Sequence, residues 1–347
     1  MTRLGQAGLL RFAIRRIAVA IPALLGLALV TFALENYLPG NPIVRLLGQH
    51  EASKPAVVAA YRHRYGLDRP LPVRFASYIQ HLLEGDLGHS FTTQQPVSRD
   101  LAAYFPATVE LGLAALIITT VAGISAGVLA ALTYRRWPDY VLRGIALISS
   151  GVPVFWLAVI ALQVFYLRLH WFPGPEGRLS ADLAPPPHFT GLYTVDALVA
   201  GQFGTFWNAL WHLILPAAVL GAYFLGLLTR ITRASLLDVL SANYLVAARS
   251  RGLPPWRIII RHALPNGLVP ILTVFGLAIG GMFAGAVLTE SVFDWPGIGL
   301  YAVKTAENLD YSAVVGVTLL VGVVYVLSGA LIDILYAVVD PRIRSVR

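Results

Sequence analysis

Gly123-Ile124-Ser125-Ala126-Gly127 has the Gly-x-Ser-x-Gly spacing of a serine nucleophile. In soluble hydrolases that spacing works at a sharp strand-to-helix elbow. Here it lies inside a long apolar stretch, so the chemistry it permits is that of an intramembrane serine protease, with His212 as a candidate base. The favoured reading is packing, because Gly123 and Gly127 also form a Gly-x-x-x-Gly pair that lets helix backbones approach closely. Phosphate chemistry fares worse. The nearest approach to a P-loop ends in Lys304-Thr305, but Val303 stands where the loop needs glycine. The eight histidines are scattered, and His81 with His89 does not make a metal site. No cofactor or metal is expected in this chain.

These residues sit in a chain built for lipid. Of its 347 residues, 57% are hydrophobic and 13% are charged, about half the charge of an ordinary soluble domain. Cysteine is absent, which removes disulfides and thiolate ligands. Six stretches suit a bilayer, which takes about 20 apolar residues to cross. They are Ile17–Leu34, Thr108–Tyr134, Tyr140–Leu167, Trp211–Leu228, Gly267–Leu288 and Ala313–Val338. The expected fold is therefore all-α and integral to the membrane, with six transmembrane helices. The first stretch follows Arg11, Arg15 and Arg16 and lacks a small-x-small cleavage site, so it reads as a retained span. The net charge of +8 reads as loop arginine on the cytoplasmic side and not as nucleic-acid binding.

Arginine alternates with acid along the chain. The N-terminal tail, the Arg135–Arg143 connection, the Arg230–Arg261 region and the Arg342–Arg347 tail are basic. Between them lie Glu176, Asp182 and Asp196, then Glu290, Asp294, Glu307 and Asp310. Both termini are thus expected in the cytoplasm. The chain divides into a tail with the first span (1–34), an extracytoplasmic excursion (35–105) and a five-helix core (106–347). Carboxylates within spans are few. Asp333 is well inside one, Glu110 reads as interfacial, and Glu290 with Phe293 and Asp294 is a candidate pathway or outer gate. So little intramembrane charge gives no obvious ion-coupling site. A secondary transporter or channel is thereby disfavoured, and the energy source is expected on another chain.

One basic loop, 234–265, is more than a lipid contact. Ala234–Arg251 reads as a helix continuing from the fourth span, Gly252 as its cap, and Pro254-Pro255 as the start of a short second helix closed by Pro265. Trp256, Ile259 and Ile260 fall on one side of that helix; Arg257 and Arg261 fall on another. An interfacial helix on anionic lipid accounts for the arginines. A glycine hinge between two short helices suits insertion into a partner's groove.

The loop resembles the "EAA" loop of ABC importer permeases. Ala247-Ala248, three residues, Gly252, nine residues, then His262-Ala263-Leu264-Pro265 follow the family pattern. Val246 replaces its glutamate and His262 its isoleucine. The resemblance covers nearly the whole chain. It includes Leu38–Pro42, Tyr65–Pro70, Gly85–Ser90, Val152–Ala158, His212–Pro216, Glu290–Gly299, Asp333 and Asp340-Pro341-Arg342. The chain is thus similar to the dipeptide/oligopeptide permease B-type subunits, a family that also includes nickel and glutathione importers. The resemblance implies a type I ABC importer fold in a bacterial or archaeal cell membrane. It also implies a second homologous permease, two ATPase subunits carrying ATP and Mg, and an extracytoplasmic substrate-binding protein. Ala247, Ala248, Arg251, Gly252, Leu253, His262, Leu264 and Pro265 would couple to an ATPase.

Overall fold

The computed structural model describes residues 18–34, 54 and 68–339. The N-terminal arginines, Leu38–Pro42 and Asp340-Pro341-Arg342 lie outside the described residues. Among those described, the fold is helical, and the only strand-like pairing is a single bridge between His89 and Pro96. We number the helices α1 (18–34), α2 (Leu71–Leu83), α3 (Val97–Leu132), α4 (Trp137–Gly151) and α5 (Val154–Ala161). They continue as α6 (Tyr193–Val199), α7 (Phe203–Leu240), α8 (Asn243–Ser250), α9 (Pro255–Ile258), α10 (Leu268–Phe293), α11 (Ile298–Glu307) and α12 (Tyr311–Val339).

Four helices, α3, α7, α10 and α12, contain stretches long and apolar enough to cross a membrane. Helix α1 is shorter but apolar. The expected third span, Tyr140–Leu167, is not one rod. Helix α4 and the segment Val154–Arg168 meet at 111°. Pro153 is the cause. The residue before a proline is pushed out of the helical region, and Val152 is extended at φ −94°, ψ 132°. Helix α5 then widens into a π turn over Leu162–Arg168. Helix α7, at 38 residues, would measure about 57 Å at 1.5 Å per residue, well beyond a hydrocarbon core of about 30 Å. Expected as Trp211–Leu228, that span therefore projects beyond the apolar layer.

The chain divides into two compact units. Among the described residues, the larger takes in Ala102–Lys304 with 18–20 and 324–339. Its core is small residues between large ones. Ala107, Leu111 and Ala115 of α3 meet Leu213, Ala217 and Leu220 of α7, Ala278, Met282 and Ala286 of α10, and Trp295. Gly123 lies against Leu228, and Gly127 against Thr232 and the Thr229 carbonyl, so the Gly-x-x-x-Gly face does bring α3 onto α7. On the other side of α7, Gly226 lies against the Ala146 carbonyl and Ser149 of α4.

Among the described residues, the smaller unit comprises 21–34, 54, 68–101 and Thr305–Val323. Its polar knot is Asp310, which is fully buried. One carboxylate oxygen accepts Ser90 Oγ at 2.6 Å and the Thr92 amide at 2.9 Å; the other accepts the Ala313 amide and caps α12. In the same unit Phe32 packs edge-on against Phe75, and Tyr78 donates to Thr31 Oγ1.

Candidate functional site

The arginine-rich loop forms between the C-terminus of α7 and the N-terminus of α10. Helix α7 stops at Leu240, so the helix expected over Ala234–Arg251 is in fact two. Ser241 follows it, its hydroxyl donating to the Asp238 carbonyl, and Asn243 restarts the chain as α8. Ala247 and Ala248 lie in α8. Arg251 and Gly252 follow, both exposed. Gly252 has φ +73°, the left-handed conformation that glycine adopts at little cost, and a side chain there would meet nothing of this chain within 4 Å.

Beyond Leu253 and Pro254 the chain enters α9, then a π turn over Ile259–Ala263, then a last helical turn over Leu264–Asn266. The boundary with α10 falls at Gly267, not at Pro265. The widened π turn lies just ahead of Pro265, and Pro265 enters the last turn near its start, where its missing N–H is least needed. His262 is half-buried, and its carbonyl accepts Asn266 Nδ2.

What seats the loop is apolar. Leu245, Ile258 and Ala263 are buried with Leu236 of α7 and Ala131 of α3, and Leu253 and Leu264 pack around them. Sequence reading placed Trp256, Ile259 and Ile260 on one face but overlooked Ile258, the residue that turns inward. Trp256 and Ile260 instead remain 59% and 61% exposed beside Arg257 and Arg261. Ser235 Oγ donates to the Gly267 carbonyl, tying the end of the loop back to α7.

At the opposite ends of the same helices lies a second polar site. Glu290, in the last turn of α10, is fully buried. Its Oε2 accepts the Gly299 amide at 2.7 Å and the Leu300 amide at 3.1 Å, and its Oε1 accepts Thr108 Oγ1 at 2.6 Å. Thr108 Oγ1 in turn accepts the Ile298 amide. The first amides of α11 are orphans of the helix ladder, and this carboxylate and hydroxyl satisfy three of them. Between the two helices Asp294 turns left-handed, and Trp295 is buried with its Nε1 donating to the Ala107 carbonyl. Phe293 is buried against Ala158, Ala161, Leu215 and Val219. Of the three predicted gate residues, Glu290 and Phe293 thus face protein in this conformation, and Asp294 faces solvent.

Beside this turn Glu110 is buried against protein. Arg178 from the α5–α6 loop is buried with it and donates Nε and Nη2 to its Oε2. Arg178 also donates to the Gly191 carbonyl and stacks 3.5 Å from the centre of the Tyr193 ring. Glu110 Oε1 takes the Thr194 amide and hydroxyl, both at 2.7 Å. Gly191, at φ +80°, lies so close to Pro106 that a Cβ would sit 2.8 Å from the proline ring. In the first turn of α6, burial opposes the ionisation of Asp196. Hydrogen bonds from the Thr190 hydroxyl and the amides of Thr190, Gly191 and Phe189 outweigh it and hold the carboxyl below its usual value.

Two family models account for this arrangement. Residues 123–345 match the binding-protein-dependent transport system inner membrane component, and residues 9–112 match the N-terminal part of such membrane components. The chain belongs to this family of ABC importer permeases. It is 44% identical over 318 residues to a probable D,D-dipeptide transport system permease of Escherichia coli (strain K12), covering 92% of this chain and 93% of that one. It is 40% identical to a di/tripeptide transport system permease of Pseudomonas aeruginosa (strain UCBPP-PA14), over 98% of this chain and all of the other. A glutathione transport system permease of Salmonella choleraesuis (strain SC-B67) is 33% identical over 97% of this chain and 99% of that one. The permease is a transport component. Ser125 is exposed, whereas His212 is buried with Nδ1 against the Asn208 carbonyl, and no hydrogen bond joins the two.

Proposed function

We propose that this permease imports dipeptides as one of two related membrane subunits, by alternating access driven by two ATPases on its cytoplasmic, arginine-rich side. A binding protein outside delivers the substrate. ATP and Mg belong to the ATPases. The names of two relatives, at 44% and 40% identity, support dipeptides. Nickel and glutathione are the alternatives within the family, and the glutathione relative is the more distant.

The observation that carries the coupling role is the hinge at Gly252. A left-handed glycine joins two short helices, both seated on the ends of α3 and α7, and nothing of this chain crowds it. In this reading Ala247, Ala248, Arg251, Gly252, Leu253, His262, Leu264 and Pro265 form the surface and bend that enter an ATPase cleft. ATPase closure pushes the loop and rocks the spans. The turn around Glu290, Phe293 and Asp294 belongs to the outer gate, and the excursion 35–105 docks the binding protein.

The test is reconstitution of the whole transporter in liposomes, with labelled dialanine and ATP hydrolysis followed together. Gly252→Asp keeps a left-handed residue feasible, since aspartate is among the few that tolerate it, and adds a charged side chain at the open surface. Its dialanine uptake should fall at least tenfold while ATP hydrolysis persists. Normal uptake by this variant, or uptake that needs no ATPase, overturns the reading. Ser125→Ala should leave uptake unchanged.

A further inference from the structure

We infer that the Asp139–Arg233 ion pair is a contact through which motion of the coupling loop reaches the bent α4–α5 span, so that both are positioning residues for ATP-driven import. The inference rests on the coupling role proposed above for loop 241–267.

Helices α7 and α3 are joined to the loop by apolar packing. Leu245, Ile258 and Ala263 of the loop share a buried cluster with Leu236 of α7 and Ala131 of α3. No residue of α4 belongs to that cluster among the described residues. The tip of α4 is tied in by charge. Arg233 donates Nε to Asp139 Oδ1 at 2.6 Å and Nη2 to Oδ2 at 2.9 Å, a two-pronged geometry that fixes orientation as well as distance. Asp139 is 1% exposed and the Arg233 side chain 17%.

The carboxylate also organises its own turn. Asp139 Oδ2 accepts the amide of Arg135, which is left-handed at φ +60°. Tyr134 lies under both guanidinium groups, 5.2 Å from Arg135 and 5.4 Å from Arg233. The whole connection between α3 and α4 is thereby locked to one side chain of α7.

The placement of Arg233 matters. It lies two residues before Ser235, whose hydroxyl holds the end of the loop at Gly267, and three before Leu236, on which the loop packs. A push on the loop is therefore delivered to α7 within one helical turn of Arg233. Further along, Gly226 lets α7 lie directly on the Ala146 carbonyl of α4. Close packing and a bidentate pair make α4 follow α7 as one body, up to the 111° bend at Val152-Pro153. The bend converts displacement of α4 into movement of α5, which packs on Phe293 beside the outer turn.

An isolated variant leaves one charge buried alone and risks failure to assemble. Asp139→Leu with Arg233→Met removes both charges while keeping apolar volume. Arg233→Lys keeps the charge and loses the fork. Each is assembled with its ATPases, second permease and binding protein in liposomes. The quantity read is ATP hydrolysed per dialanine imported, normalised to assembled transporter. We expect the ratio to rise at least tenfold in the double variant and severalfold in Arg233→Lys. A wild-type ratio in both overturns the inference, even if both activities fall together, because a merely structural pair lowers the amount of working transporter and not its coupling. The wild-type protein separates this from the parent reading: if it does not couple dialanine import to ATP, or if Gly252→Asp does not uncouple it, the parent reading fails instead.

Discussion

The two ends of the α7–α10 pair are built on opposite plans. At the far end, Glu290 and Glu110 are buried and fully engaged. Glu290 caps α11, Glu110 grips Arg178 and Thr194, and Trp295 is pinned by its indole nitrogen. At the arginine-rich end the loop is seated by a small apolar patch, bent at an unobstructed glycine, and left with Trp256 and Ile260 in the open. Directional bonds in a water-poor setting make the far turn stiff, since each broken bond strands a buried polar group. Non-directional apolar contacts let the loop tilt without such a cost. One end resists deformation; the other is shaped to receive it.

The contrast can be broken from the far end first. Arg178→Met should have the largest effect, because it leaves Glu110 buried without its counter-ion, a loss of about 3–5 kcal/mol. Thermal unfolding in detergent should show it, together with faster proteolysis of the 174–194 loop. A melting temperature equal to wild type would mean that the ion pair does not hold that loop. Glu290→Gln keeps the volume but replaces the oxygen that accepts Thr108 Oγ1 with an NH2, so the hydroxyl loses its acceptor, and should cost about 1–3 kcal/mol in the same measurement.

The third test uses acid. The Asp196 carboxyl has a folded value depressed below its ordinary 3.8. Its stabilisation is therefore fully present above that value and lost as pH falls through the lower folded value. Amide exchange at 189–191 should stay slow down to about pH 4 and quicken below it, after correction for intrinsic rates. Asp196→Asn should remove that step. The smallest effect is expected at the compliant end. Trp256→Ala should change the chain's own stability by no more than about 0.5 kcal/mol, because the ring is already exposed. A large loss of stability there would show that the loop is as rigid as the far turn and erase the contrast.

Much of this was legible in the residues. The long apolar runs announce the spans, and α3, α7, α10 and α12 lie where hydropathy puts them. Gly252 reads as a cap because a basic helix stops there, and its φ of +73° agrees. The packing role of Gly123 and Gly127 was readable from their spacing. Pro153 was visible too, yet the bend it produces was not anticipated, because prolines also sit inside continuous helices here, as Pro106 and Pro216 do. The burial of Glu110 was not legible. Hydropathy gives its depth along a helix but not the side it faces.

The division follows from range. Span positions, the glycine hinge and the family pattern depend on each residue and its neighbours within a turn or two, so the sequence alone determines them. The partners of the buried charges do not. Glu110 meets Arg178 across 68 residues, Asp139 meets Arg233 across 94, and Thr108 meets Glu290 across 182. In the sequence Arg233 is one more basic residue among many. Only the adjacency of packed helices decides which opposite charge it meets, because a carboxylate withdrawn from water must take whatever donor the fold brings within 3 Å.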